Sequence, residues 1–199
     1  MQIWRDRLQR WFAPMALRCP VSPNGVSLIA LALNMTAAVL LYRRQFLVAI
    51  VFLVVGGLAD AFDGIVARVQ NKTSRFGDFL DHFADRVSDV LLLTGWLLGS
   101  GVRAEIALLA VISIMLNGYI GTQLEATWHE RTYETVGRAE FVLALVVFPL
   151  VSHILFSNEW QTTAVAGLRI PECMALLLVL GALLGIAQRF VLARRLERG

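Results

Sequence analysis

Six apolar runs, each near the length that crosses a hydrocarbon layer, divide this chain: Val26 to Tyr42, Phe46 to Val69, Phe76 to Leu98, Ile106 to Leu124, Phe141 to Phe156 and Cys173 to Ala193. A spanning helix needs about 20 predominantly apolar residues. Inside a bilayer the backbone must satisfy its own hydrogen bonds, which a helix does and an open sheet does not. With 57% hydrophobic residues and a mean hydropathy of +0.65, the chain exceeds what a soluble core requires. The expected fold is all-α: a polytopic membrane protein with a six-transmembrane-helix bundle. Short loops and the absence of an internal repeat make residues 20–199 one transmembrane domain.

Residues 1–19 form a separate N-terminal segment. Ile3, Trp4, Leu8, Trp11, Phe12 and Met15 alternate with Arg5, Arg7 and Arg10 at near-helical spacing. That pattern reads as an interfacial amphipathic helix, its arginines near anionic headgroups, and equally as a helix packed on the cytoplasmic ends of the bundle. Pro20, Ser22, Pro23, Asn24 and Gly25 punctuate the join to the first span. That span lacks a small-residue cleavage site and is expected to be retained. Cys19 and Cys173 lack metal or disulfide spacing and read as ordinary thiols.

Basic residues orient the bundle, because cytoplasmic flanks keep an excess of Lys and Arg. With the N-terminus inside, one side receives Arg5, Arg7, Arg10, Arg18, Arg68, Lys72, Arg75, Arg86, Arg131, Arg138, Arg189, Arg194, Arg195 and Arg198. The other receives only Arg43, Arg44, Arg103 and Arg169. Both termini are therefore expected at the cytoplasmic face of a multi-pass protein in the cell membrane. The net charge of +3 flanks spans and builds no soluble basic domain, so no nucleic-acid partner is expected.

Against this apolar background stands a dense set of acids between Asp60 and Asp85, in the pattern DxxDGxxARx8GxxxDxxxD. Ionisable groups among membrane spans are costly unless they pair, face water or bind a cation. At about 100° per residue, Asp60, Asp63, Gly64, Ala67 and Arg68 fall within roughly 140° of one another on one helix. Gly77, Asp78, Asp81, Asp85 and Asp89 fall within roughly 120° on the next. The join Gln70 to Arg75 is short enough to make the two helices antiparallel neighbours, so their acid faces converge. Clustered carboxylates repel unless a counter-ion intervenes. Oxygen ligands without a His or Cys cluster select a hard ion, Mg²⁺ or Mn²⁺, and Mg²⁺ is often shared between carboxylates and substrate phosphates. Gly64 and Ala67 leave the helix face smooth enough for a large ligand, and Arg68 offers a fork suited to phosphate. Together they imply a diphosphate substrate. Taken singly, each residue also has a plainer role: an interhelical hydrogen bond for an Asp, close packing for Gly64 or Gly77, interfacial anchoring for Arg68.

Asp60, Asp63, Gly64, Ala67, Arg68, Gly77, Asp81 and Asp85 together resemble the signature of the CDP-alcohol phosphatidyltransferase family at every specified position. That resemblance implies transfer of a phosphatidyl-type group from a CDP-linked lipid to a polar alcohol, with CMP released. It implies a metal site, usually of two ions, on Asp60, Asp63, Asp81 and Asp85, with Asp85 also the catalytic base for the acceptor hydroxyl. Gly64, Ala67 and Arg68, with Asp60 and Asp81, match positions that bind the nucleotide. Asn24 is a further candidate to approach it, a turn and helix cap being the alternative. Arg138 is a candidate for the acceptor's phosphate and Arg131 a weaker one, although positive-inside anchoring explains both. Relatives in this family are commonly homodimers with the site open to the cytoplasm.

The wording DFLDHxxDR together with Arg138 leans toward an inositol-type acceptor, with glycerol phosphate or serine as alternatives. Reverse polarity, a CDP-headgroup donor with diacylglycerol as acceptor, uses the same site. A cation transporter would also place acids among spans, but its acids would be distributed across the bilayer and often accompanied by a repeat. Asp78 and Asp89 extend the acid face and read as local polar pairs, Asp78 with Arg75 or Arg86. His82 falls off that face by the helical count.

Overall fold

The computed structural model describes residues 12–128, 138–165 and 167–197. Residues 12–17 are helical (α1), followed by α2 (Pro23–Tyr42), α3 (Phe46–Val69), α4 (Arg75–Gly99), α5 (Ala104–Trp128), α6 (Arg138–Ser157) and α7 (Ile170–Leu196). A two-residue antiparallel ribbon, β1 (Ala164–Val165) with β2 (Leu168–Arg169), precedes α7. The six long helices match the six apolar runs, extended by a few residues where capping groups continue the turn. Ser22 accepts from the Gly25 amide at 3.2 Å and Ser74 from the Gly77 amide at 3.0 Å. Each thereby satisfies one of the orphan donors at a helix start.

Among the described residues five helices, α2, α3, α5, α6 and α7, are long and apolar enough to cross a membrane, and the chain is a multi-pass membrane protein on that footing. The run expected as the third span differs. Its helix α4 is 25 residues long, but Arg75, Asp78, Asp81, Asp85, Arg86 and Asp89 crowd the stretch from its start to just past its middle, leaving no sufficiently apolar window. Packing supplies what composition does not. Asn24 of α2 lies against Gly77 of α4, Asn34 donates to Ser88 at 3.2 Å, and Ala38 and Leu41 abut Gly95 and Gly99. α4 thus runs parallel to α2 along its whole length and traverses the same depth. α3 lies antiparallel to α2, as Ser27 with Asp63 and Asn34 with Gly56 record.

At Gly95 and Gly99 the two helices meet backbone to backbone: a Cβ on Gly95 would run into the Ala38 carbonyl, and one on Gly99 into that of Leu41. Small residues at such crossings allow the close approach on which helix association in a membrane depends. Around this crossing sits the packed core, with Leu41, Phe46, Leu93, Trp96 and Leu97 fully buried. Trp96 donates to Ser152 at 3.0 Å, and Ser100 and Ser152 lie 3.1 Å apart. At the same end, Glu172 is clamped by Arg103 at 2.9 Å and Arg169 at 3.1 Å. The core therefore occupies the half of the bundle remote from Asp60 and Asp81, and rigidifies the frame from which the acidic half extends.

Of the N-terminal segment, residues 12–17 pack on that acidic half. Ala16 is buried against Ile65 and Val66, Phe12 meets Phe62 edge-on at 6.2 Å, and the Gln70 amide donates to the carbonyls of Ala16 and Cys19. Met15 and Leu17 remain exposed. The packed reading describes this stretch, while Ile3, Trp4, Arg5, Arg7, Leu8, Arg10 and Trp11 lie outside the described residues.

Candidate metal and nucleotide site

Two groups of side chains converge between α3 and α4. Asp60, Asp63 and Asp81 each bring a carboxylate oxygen within 4.8 Å of the other two, and Asp81 and Asp85 form a second such group with His82. Asp81 belongs to both. An octahedral ion with bonds of about 2.1 Å separates adjacent ligands by about 3 Å and opposite ones by about 4.2 Å. The observed spacing fits a divalent cation after small side-chain adjustments, and the donor set suits Mg²⁺ or Mn²⁺. Asp60, Asp63 and Asp81 are thus brought together, and Asp85 adjoins them through Asp81.

Local structure explains the convergence. The chain reverses between α3 and α4 through Asn71 in the left-handed region (φ 54°), with the Lys72 amide bonded to the Ala67 carbonyl at 2.8 Å. Asn tolerates that conformation better than most residues. The reversal sets the C-terminal half of α3 beside the N-terminal half of α4. Asp63 and Asp85 are buried while Asp60 and Asp81 are half-buried. From α2, the buried Ser27 donates to Asp63 Oδ2 at 2.5 Å. Ser27 thus orients that carboxylate from behind, as outer partners of metal ligands do.

The nucleotide-side residues have the form expected of a docking face. A Cβ on Gly64 would meet only the Arg68 guanidinium, at 3.8–3.9 Å, so the helix surface there is open and Arg68 leans over it, exposed. Ala67 is half-buried on the same face. Asn24 stands over the first turn of α4, its Oδ1 3.2 Å from where a Gly77 Cβ would be. The cap of α2 is Ser22, not Asn24.

On the other side of α4 opens a cavity of about 840 Å³ between α4, α5, α6 and α7. Sequence reading missed it. Its polar wall includes Asp78, His82, Arg86, Asp89, Asn117, Thr122, Glu125, Glu140 and Arg189. Arg86 pairs with the buried Asp89 at 3.5 Å and presses against Gly118, where a Cβ would collide with the guanidinium. Arg189 donates to Asn117 Oδ1 and lies against Gly121. In the sequence Arg86 and Arg189 were indistinguishable from flank charges. The available signal was Asn117 and Arg189 falling inside otherwise apolar runs, where a polar group needs a partner or a ligand. Glu140 on the cavity wall brings the first turn of α6 to its rim. The Arg138 side chain and Arg131 lie outside the described residues. Asp78 approaches His82 at 3.9 Å rather than Arg75 or Arg86. His82, expected off the acid face, lies exposed beside Asp81 and Asp85, at the i,i+1 and i,i+3 spacings that make neighbours on one helix.

Residues 20–187 match the CDP-alcohol phosphatidyltransferase family. The chain belongs to that family. Among its relatives, the archaetidylinositol phosphate synthase of Pyrococcus horikoshii is 35% identical over 99 residues, covering 50% of this chain and 53% of that protein. This chain thus spans about half the length of that relative. The phosphatidylinositol phosphate synthase of Streptomyces avermitilis is 29% identical over 92% of this chain and 77% of its own length. In fold, the chain is similar to the Mycobacterium tuberculosis phosphatidylinositol phosphate synthase with CDP-DAG bound, at a TM-score of 0.71 and 18% identity over 94% of both chains. A second structure of that enzyme, in complex with manganese and citrate, gives 0.70 at 20% identity over 93% of this chain and 88% of that one. The CDP-alcohol phosphatidyltransferase signature falls on the two helices whose carboxylates converge here.

Proposed function

We propose that this chain transfers a phosphatidyl-type group from a CDP-linked lipid to inositol phosphate or a closely similar phosphorylated alcohol, releasing CMP. The observation that carries this is the junction of two unlike sites on one helix. α4 presents Asp81 and Asp85 toward α3 and, with His82 between, Asp78 and Arg86 toward a cavity that also holds Arg189. A diphosphate at the aspartates and a phosphorylated acceptor reaching out of the cavity would meet at the edge of α4 that carries His82 and Asp85. The relatives named for inositol phosphate lipids support the choice of acceptor.

In this reading Asp60, Asp63, Asp81 and Asp85 hold two divalent ions, Mg²⁺ or Mn²⁺, which when bound polarise the phosphoryl oxygens and steady the CMP leaving group. Arg68 pairs with the diphosphate over the smooth face of Gly64 and Ala67, and Asn24 closes the nucleotide side. Asp85, buried between the two sites, takes the proton of the acceptor hydroxyl. Arg138, Arg86 and Arg189 hold the acceptor's phosphate. The acids gather in one half of the bundle rather than along a path through it, which favours a transferase over an ion conduit. The basic flanks support a cytoplasmic opening in the cell membrane with both termini inside, residues 20–199 acting as one domain and two copies forming a homodimer.

The test is product identification. Purified protein with radiolabelled CDP-diacylglycerol and Mg²⁺ or Mn²⁺ is offered inositol phosphate, glycerol phosphate, serine and inositol in turn. A phosphorylated inositol lipid with stoichiometric CMP is the expected result. CMP release with another acceptor alone would overturn the choice of acceptor, and product formed only from a CDP-headgroup with diacylglycerol would reverse the polarity.

A further inference from the structure

Two guanidiniums in the cavity come to rest on the same helix. Arg86 reaches in from α4 and Arg189 from α7, and both heads lie on α5. A Cβ on Gly118 would run into the Arg86 guanidinium, and one on Gly121 would lie 3.1–3.4 Å from that of Arg189. Asn117, 7% exposed, accepts a hydrogen bond from Arg189 Nη1. Residues three and four apart on a helix are surface neighbours, so Asn117, Gly118 and Gly121 make one strip of α5.

Glycines in a membrane bundle usually admit the backbone of a neighbouring helix. That is the case at Gly95 and Gly99, where the carbonyls of Ala38 and Leu41 lie over the Cβ positions. Gly118 and Gly121 differ, for the three nearest atoms over each belong to a guanidinium. Glycine is a poorer helix former than alanine, and here the missing methyl group makes room for side chains.

We infer that Asn117, Gly118 and Gly121 are positioning residues, a seat on α5 that holds Arg86 and Arg189 side by side toward the acceptor's phosphate. This rests on the reading of the cavity as the acceptor site and adds what fixes its cations. Ordering a long side chain when a ligand binds costs conformational entropy, and a side chain already held avoids that cost. Behind the pair, Arg86 reaches the buried Asp89 at 3.5 Å and Asn117 takes one N–H of Arg189. A guanidinium has five N–H donors, so each keeps donors for a bidentate grip on phosphate. Two like charges side by side repel, and an anion between them relieves that repulsion. The seat acts on the end of the acceptor that does not react. Its loss therefore weakens substrate and transition state alike, which raises KM and leaves kcat in place.

Steady-state kinetics on the full chain in detergent test this, with CDP-diacylglycerol and Mn²⁺ fixed and inositol phosphate or glycerol phosphate varied. In Gly118→Ala the new methyl group meets the flexible end of a side chain, so the guanidinium shifts while the helices stay in place. Gly118→Ala and Asn117→Ala should each raise the KM for the phosphorylated acceptor on the order of ten-fold, the scale of one hydrogen bond to a charged group. Neither kcat nor the KM for CDP-diacylglycerol should move. A double-mutant cycle separates positioning from packing: Gly118→Ala should raise KM no further in an Arg86→Ala background, nor Asn117→Ala in Arg189→Ala. An unchanged KM in both single variants, or a rise that persists in full in those backgrounds, would overturn the seat while leaving the acceptor site standing. Wild-type turnover with inositol or serine but with neither phosphorylated alcohol would overturn the acceptor reading, and the seat with it.

Discussion

Ser27 Oγ, 2.5 Å from Asp63 Oδ2, is the contact on which the geometry of the deepest α3 acid depends. A buried carboxylate held by a hydroxyl keeps one oxygen turned toward its ligand, and outer partners of this type are typically worth 10–100-fold in metal affinity. Ser27→Ala is therefore expected to weaken Mn²⁺ binding by about ten-fold, read by titration calorimetry. Unchanged affinity would detach Ser27 from the site. Asp85 makes a sharper test, because its proposed role lies in the chemical step. Asp85→Asn should abolish CMP release while nucleotide binding, followed with a CDP-lipid analogue, stays largely intact. Full turnover by that variant would remove Asp85 from the mechanism. At this scale the sequence was informative where periodicity alone decides: aspartates one turn apart must share a face. It did not show which group Ser27 would bond, since that partner lies 36 residues away on another helix.

The helices α2 and α4 carry the frame. Their approach at Gly95 and Gly99 leaves no room for a methyl group against the Ala38 and Leu41 carbonyls, and the obstruction is backbone, which cannot rotate away. Gly95→Ala should lower stability by about 1–3 kcal/mol, the usual cost of overpacking, and should reduce activity through Asp81 and Asp85 on the same helix. Gly57→Ala serves as the comparison, since nothing lies within 4 Å of its Cβ position. Thermal unfolding in detergent reads both, and equal midpoints would contradict the crossing. Two helix starts were legible because the apolar runs begin just after the caps Ser22 and Ser74. The α2–α4 pairing was not, for parallel neighbours separated by an intervening helix leave no mark in local pattern. Nor was the weak apolarity of α4 a sign of a loop. Its polar half is what the site is made of.

For the whole molecule, the division is between a packed half around Trp96 and Phe46 and an open half that carries acids, cavity and most basic residues. Orientation belongs to this scale. With Cys19→Ser and Cys173→Ser as background, Lys72→Cys should react with an impermeant maleimide only from the cytoplasmic side, and Asn158→Cys only from the opposite one. The reverse pattern would invert the bundle and with it the side on which substrate arrives. Hydropathy made the bundle legible, since six long apolar runs admit few alternatives. The cavity was not legible: it is built from Arg86, Asn117 and Arg189 on three helices, and their meeting follows from tertiary packing alone.

The account stands on Asp60, Asp63, Asp81 and Asp85 gathering around divalent ions that grip a nucleotide diphosphate. Anomalous scattering from crystals grown with Mn²⁺ and CDP-diacylglycerol measures that most directly. Manganese peaks enclosed by these four carboxylates, with diphosphate density against them beside Arg68, are the predicted result. Diphosphate density elsewhere, or full lipid occupancy with no manganese between α3 and α4, would contradict it.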